Sequence, residues 1–203
     1  MVPEISSRTR FVFVIGDPIE HSLSPVFQNA AIRKEGIDAI YLAARVEPGG
    51  LEHAVRGLSR LGCIGLNVTM PHKVPIVRFM DELDETARSA GAVNTVKYLG
   101  DRVIGYNTDC AGVEEALMGA GIRGDVRRAV VLGAGGAARA TCVALSKFAR
   151  EIAIVNRTYE TAVELAEKMR ERGMGAEAVR WDELPRALEG SGLLINTTSR
   201  GMH

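Results

Sequence analysis

Gly133-Ala134-Gly135-Gly136-Ala137-Ala138 lies between an apolar run at residues 129–132 and a helical pattern that opens at Ala137. The G-x-G-x-x-A spacing carries little weight alone; what gives it meaning is a strand entering the turn and a helix leaving it. Glycines let the backbone turn tightly and come close to a pyrophosphate. The helix N-terminus then offers that anion free N–H groups and a partial positive charge. This stretch is therefore expected to be a strand–turn–helix unit of a dinucleotide-binding sheet. The next apolar run, 152–155, ends in Asn156-Arg157-Thr158 rather than in the acidic residue that holds an NAD ribose. A guanidinium and a hydroxyl there, without a repelling carboxylate, favour the additional phosphate of NADP. The plain alternatives are a glycine turn that only rounds a corner and a solvated arginine at a helix start.

The remaining pattern extends this α/β reading. Strands are expected at 11–15, 39–46 and 64–68. Helices are expected from Pro25 to near Gly36, with Ser24 as cap, and across Leu51, Ala54, Val55, Leu58 and Leu61. Such alternation argues for βαβ units and a mainly parallel sheet. Residues 92–98 and 103–106, joined by Leu99-Gly100-Asp101, read as a hairpin. Thr108 or Asp109 caps a helix through Leu117. Beyond Gly124, strands at 129–132, 152–155, 176–179 and 193–195 alternate with helices at 137–148, 160–172 and 182–188. The boundary falls between residues 107 and 124, and the domains are taken as 1–108 and 109–203.

Chemistry concentrates in Asn67-Val68-Thr69-Met70-Pro71-His72-Lys73, directly after the third strand. An amide, a hydroxyl and an amine share one turn whose backbone Pro71 restricts. Other short polar groups also follow strand ends: Ser22-Leu23-Ser24, Asn94-Thr95 and Asn107-Thr108-Asp109. Singly, each has a structural explanation as a cap or turn residue. Jointly they suit a small polyhydroxylated anion that gives up or takes a proton. Lys73 and Asp109 form the ionisable pair: burial would lower the lysine pKa, whereas a nearby carboxylate would favour its charged form.

With 25 basic and 25 acidic residues, the net charge is zero, which gives no electrostatic reason to expect nucleic acid or an anionic membrane as partner. No apolar stretch approaches the ~20 residues of a membrane span, and no N-terminal signal pattern is visible. Cys63, Cys110 and Cys142 are odd in number and scattered, so they read as core residues of a reducing, cytoplasmic compartment. The spacing of His21, His53 and His72 has no metal-ligand logic, so no metal is expected. For His21 and His72 a surface or packing role is expected.

These motifs, in this order, resemble shikimate dehydrogenase. The resemblance rests on Gly16-Asp17-Pro18-Ile19-Glu20-His21-Ser22-Leu23-Ser24-Pro25, on residues 67–73, and on Gly91-Ala92-Val93-Asn94-Thr95 and Asn107-Thr108-Asp109. It continues through the glycine turn, Asn156-Arg157-Thr158 and Asn196-Thr197-Thr198. It implies an N-terminal βαβ substrate domain followed by a Rossmann-like, doubly wound NADP-binding domain. It also implies reversible NADPH-dependent reduction of 3-dehydroshikimate to shikimate, on the route to chorismate and the aromatic amino acids. Two domains with a cleft between them are the expected arrangement.

By motif, Ser22, Ser24, Asn67, Thr69, Lys73, Asn94 and Asp109 would hold shikimate, with Lys73 as general acid/base beside Asp109. Gly133, Ala134, Gly135, Gly136, Ala137, Asn156, Arg157 and Thr158 would bind NADP, with Glu85 and Met202 as weaker cofactor positions. A homodimer is left open. Gln28 stands where the family often has His. Family members also run longer, adding sheet strands and a returning helix, so this chain is expected to be shortened at its C-terminus, with its nucleotide sheet incomplete. Two other readings stay open: a quinate/shikimate dehydrogenase, and a truncated non-catalytic relative that binds shikimate or NADP. The paired serines lean towards shikimate, because quinate's extra hydroxyl needs room.

Overall fold

The computed structural model describes residues 5–200. They belong to two compact units, residues up to Asn107 and residues from Thr108.

The first unit is built on β1 (Arg10–Gly16), β2 (Ala39–Arg45), β3 (Gly65–Val68), β4 (Glu82–Leu83), β5 (Thr95–Leu99) and β6 (Arg102–Tyr106). Their order across the sheet is β2-β1-β3-β5-β6-β4. Strands β1, β2 and β3 are parallel; β5 runs antiparallel to both β3 and β6. The hairpin expected around Leu99-Gly100-Asp101 is therefore present, and it makes the sheet mixed. The helices are α1 (Ser24–Lys34), α2 (Leu51–Arg60) and α3 (Glu85–Ala90). Leu51 and Val55 of α2 are buried and Leu58 packs beside them, against Ile15, Leu66 and Ile76.

Two local readings need correction. Ser24 does not cap α1: it is the helix's first residue, Leu23 is the N-cap, and the Ser22 hydroxyl takes the Ser24 N–H at 3.3 Å. Helix α3 was not anticipated, because six residues are too few to show a period. Its ends are nevertheless written in the sequence. The Asp84 carboxylate accepts the Ala87 N–H at 2.8 Å, and Gly91 closes the helix with a left-handed φ of 59°.

The second unit holds β7 (Val126–Leu132), β8 (Ala149–Val155), β9 (Gly175–Val179) and β10 (Leu193–Asn196), all parallel, in the order β10-β7-β8-β9. Its helices are α4 (Asp109–Gly119), α5 (Gly136–Leu145), α6 (Tyr159–Arg170) and α7 (Leu184–Leu188). The period of two in β7 sorts its side chains. Ala129 and Val131 face a core with Ala138, Cys142 and Leu145 of α5 and Leu165 and Met169 of α6. Val130 faces the opposite layer, with Ala187 of α7. Helices thus cover both sides of a parallel sheet, the doubly wound arrangement.

Candidate functional site

In the first unit the parallel strands β1, β2 and β3 end at the same edge, and the polar motifs leave from there. Gly16 ends β1 because nothing larger fits: a Cβ would stand 2.4 Å from Thr69 Cγ2 and 3.0 Å from the Met70 carbonyl oxygen. The turn after β3 is fastened to β1, with the Thr69 N–H donating to Ile15 O at 2.9 Å and the Asp17 N–H to Met70 O at 3.0 Å. Both Asp17–Pro18 and Met70–Pro71 are cis. His72 is fully buried, with Nε2 2.6 Å from the Val46 carbonyl oxygen at the end of β2. It clamps the turn against the neighbouring strand, which agrees with a packing role. Lys73, half-buried, accepts the Val93 N–H on its main-chain oxygen at 2.7 Å, tying the lysine turn to the Gly91–Asn94 turn.

The amides are ordered by one another. Asn67 Nδ2 donates to Thr95 Oγ1 at 3.1 Å, and Thr95 Oγ1 donates to Asn94 Oδ1 at 3.0 Å. Asn67 Oδ1 accepts from the Tyr41 hydroxyl at 2.7 Å. Burial pushes the Tyr41 pKa up to about 12, with the Ser24 side chain acting in the opposite direction. The first unit therefore links Tyr41, Asn67, Thr95 and Asn94 in one hydrogen-bonded group, with Thr69 and Lys73 on the same turn as Asn67. Ser22 stands two residues before Ser24 and bonds its N–H. Tyr41 was missed from sequence; it lies inside an apolar strand, Ala39–Arg45, where an aromatic ring reads as packing. Glu85 is the exposed first residue of α3. Asp109 is the first residue of α4 and belongs to the second unit. Thr108 is the N-cap of that helix by position and makes no side-chain cap bond.

In the second unit the glycine turn lies between β7 and α5. Gly133 has φ 110°, a region closed to most side chains, and a Cβ there would stand 2.5 Å from Thr197 Oγ1. Thr197 fills that space because its N–H and hydroxyl both donate to Leu132 O, at 2.9 and 2.6 Å. Asn196-Thr197-Thr198, quoted above only as a matching motif, thus packs directly on the turn. Gly135 is the N-cap of α5 and makes no side-chain cap bond, and a Cβ built on it would meet nothing within 4 Å. The turn thus offers an open approach to uncapped helix N–H groups, as a pyrophosphate requires.

At the end of β8, Asn156 Nδ2 donates to Thr158 O at 2.9 Å and to Thr161 Oγ1 at 2.6 Å, which folds the Asn156-Arg157-Thr158 turn back on itself. Arg157 and Thr158 are exposed. Val155 pairs with Val179, so the residues just beyond, Asn156 and Arg180, leave neighbouring strands side by side. The Arg180 guanidinium lies 4.4 Å from the Tyr159 ring centroid. Sequence reasoning missed this second cation; its one signal was a basic residue directly after the β9 pattern. Met202 lies outside the described residues.

The substrate-binding domain model of shikimate dehydrogenase matches residues 14–96, and the shikimate/quinate 5-dehydrogenase model matches residues 117–202. Shikimate dehydrogenase (NADP(+)) of Methanopyrus kandleri is 44% identical, over 98% of this chain and 70% of its own length. The chain belongs to the shikimate dehydrogenase family. Among solved structures of the family, that of Aquifex aeolicus superposes with a TM-score of 0.88 at 39% identity, covering 98% of this chain and 73% of that one. The Thermus thermophilus enzyme in complex with NADP(H) and shikimate gives 0.77 at 34%, covering 94% and 69%. Family membership and the two units account for the N-terminal substrate domain and the Rossmann-like domain together. Among the described residues, no helix is long and apolar enough to cross a membrane.

Proposed function

We propose that this chain is an NADP-dependent shikimate dehydrogenase, catalysing the reversible NADPH-dependent reduction of 3-dehydroshikimate to shikimate in the route to aromatic amino acids. The observation that carries the reading is the ordered polar group at the strand ends of the first unit. It joins Tyr41, Asn67, Thr95 and Asn94, with Lys73 on the turn that follows Asn67, in a chain of this family. Ser22, Ser24, Asn67, Thr69, Asn94 and Asp109 hold the substrate's hydroxyls and carboxylate. In the oxidation direction, the Lys73 amine takes the proton from the reacting hydroxyl, with Asp109 as the second catalytic candidate. NADP, when bound, supplies the hydride chemistry.

The second unit's residues fit that cofactor. The Gly133, Ala134, Gly135, Gly136 and Ala137 turn admits a pyrophosphate. Asn156, Arg157 and Thr158 receive the adenosine end, with Arg180 adding a cation on the neighbouring strand end. Glu85 and Met202 remain weaker cofactor candidates. Residues 1–108 serve as the substrate-binding and catalytic domain and 109–203 as the NADP-binding domain. The quinate reading is not favoured: the relatives reported above are shikimate dehydrogenases.

A cytoplasmic location fits three cysteines that are all buried and none of them in a disulfide. A homodimer is proposed alongside it, to be checked by sedimentation equilibrium; the mass of a single chain would remove it. The function is tested with the purified chain, shikimate and NADP+, following NADPH absorbance. Turnover with shikimate well above that with quinate is the expected result, and no turnover together with no binding of shikimate overturns the assignment.

A further inference from the structure

Tyr41 is 3% exposed and stands on β2, yet its hydroxyl bonds a residue of β3, reaching past β1. Its ring is packed with Val14 and Ile19. Its main chain is gripped from α1: the Tyr41 N–H donates to Asn29 Oδ1 at 2.9 Å, and Asn29 Nδ2 donates to Tyr41 O and to Pro25 O, each at 2.8 Å. The phenol is therefore held rigidly, by a residue of the helix that begins at Ser24.

A phenol has one proton to give, and an amide oxygen can only accept. The Tyr41 hydroxyl therefore donates to Asn67 Oδ1, and that decides which way the Asn67 amide faces. Asn67 Nδ2 must then donate, and it does so to Thr95 Oγ1. The Thr95 hydroxyl, having accepted, gives its own proton to Asn94 Oδ1. This fixes the other end of the Asn94 amide, Nδ2, as a donor. A flipped Asn67 would set its oxygen towards the Asn94 carbonyl oxygen, which now lies 3.5 Å from Nδ2. Two acceptors would then face each other. The bonds all run in one direction from β2 to β5, across three strand spacings or about 14 Å.

We propose that Tyr41 is a positioning residue for the substrate: its buried phenol sets the polarity of the chain Tyr41–Asn67–Thr95–Asn94 and thereby fixes the donor and acceptor ends that the two asparagines offer to substrate hydroxyls. The inference rests on the substrate assignment made above. It differs from a packing role in what it demands of a single oxygen atom. Without the phenol oxygen the ring still fills its place, but the Asn67 oxygen loses its donor and the chain loses the group at its head that sets its direction.

The test compares wild type with Tyr41→Phe, Thr95→Val and the double variant. Calorimetry with shikimate and, separately, with NADP is combined with NMR of the side-chain amides. Tyr41→Phe should weaken shikimate binding about tenfold, the worth of one buried hydrogen bond, and leave NADP binding unchanged. It should also shift the Asn94 side-chain amide resonances, two strands beyond the next one. Thr95→Val should reproduce the shikimate loss, and the double variant should lose no more than the worse single, because one chain is broken either way. The inference is overturned if Tyr41→Phe binds shikimate as wild type does, if its Asn94 amide signals stay in place, or if shikimate and NADP weaken together. Should Tyr41→Phe fail to fold, Thr95→Val decides by the same shikimate readout. A wild-type chain that binds NADP but not shikimate removes the substrate assignment, and this inference with it. That outcome is distinct from wild-type binding with an indifferent Tyr41→Phe.

Discussion

Lys73 sits on a turn whose main chain is tied independently of its amine: His72 N–H donates to Thr69 O at 2.9 Å and Val93 N–H to Lys73 O at 2.7 Å. Lys73→Ala therefore removes the proposed proton carrier and leaves its support in place. Turnover should fall by a factor of roughly a hundred or more, while NADP affinity measured by calorimetry stays within error. Near-normal turnover removes Lys73 from the acid/base role. Tyr41 offers a second residue-level expectation. Burial lifts its folded pKa from an ordinary 10.0 to about 12. A raised folded pKa gives stability that is complete below the unfolded value and is lost as pH climbs through the folded one. Urea midpoints should therefore decline between pH 10.0 and about 12, and Tyr41→Phe should decline less steeply over that window. Equal slopes would deny the phenol its buried proton. The residues carrying polar motifs were legible in the sequence because turns and strand ends announce them. Tyr41 was not, because its use depends on register: only the pairing of β2 with β1, and of β1 with β3, brings its hydroxyl to Asn67.

At the scale of elements, what could be read depended on length. Helices α2, α5 and α6 repeat their apolar face over two turns or more, and their positions follow from the sequence within a few residues. Helix α3 and strand β4 are too short for any period; they exist because Asp84, Gly91 and the β6 edge supply partners from outside. The glycine turn shows a different dependence. Its conformation is set by Gly133, but its fit is set by Thr197, sixty-odd residues later and just beyond the neighbouring strand β10. Gly133→Ala meets both constraints at once: a left-handed φ, costing about 1–3 kcal/mol for a residue with a side chain, and a Cβ 2.5 Å from Thr197 Oγ1. The turn must shift, so NADP binding should weaken at least tenfold and thermal stability should drop. The companion variant Gly133→Ala/Thr197→Ser keeps the collision with Oγ1 and should recover nothing. Wild-type NADP affinity in Gly133→Ala would show that the turn does not need this glycine.

At the scale of the molecule, two units each carry a sheet and a core of their own: Ile15, Leu66 and Ile76 centre the first, and Val131, Leu145 and Leu165 the second. The proposed ligands divide along the same line, since the shikimate residues other than Asp109 lie in the first unit and the nucleotide residues other than Glu85 lie in the second. A ligand that binds only the folded state stabilises it by RT ln(1 + [L]/Kd), about 2.7 kcal/mol at a hundredfold excess over Kd. That stabilisation is read locally by hydrogen exchange, because exchange reports the opening of separate cooperative parts. Shikimate should slow exchange at Thr69 and Asn94 and at the β1–β3 strand ends, with little change at Gly135 to Arg139. NADP should slow exchange at the N-terminus of α5 and around Arg157, with little change at Asn94. Both ligands protecting the same amides, or each protecting the other's unit, would contradict the division of labour between the two sheets. Separate protection patterns, together with a loss of the shikimate pattern alone in Tyr41→Phe, would place substrate recognition in the hydrogen-bonded chain that begins on β2.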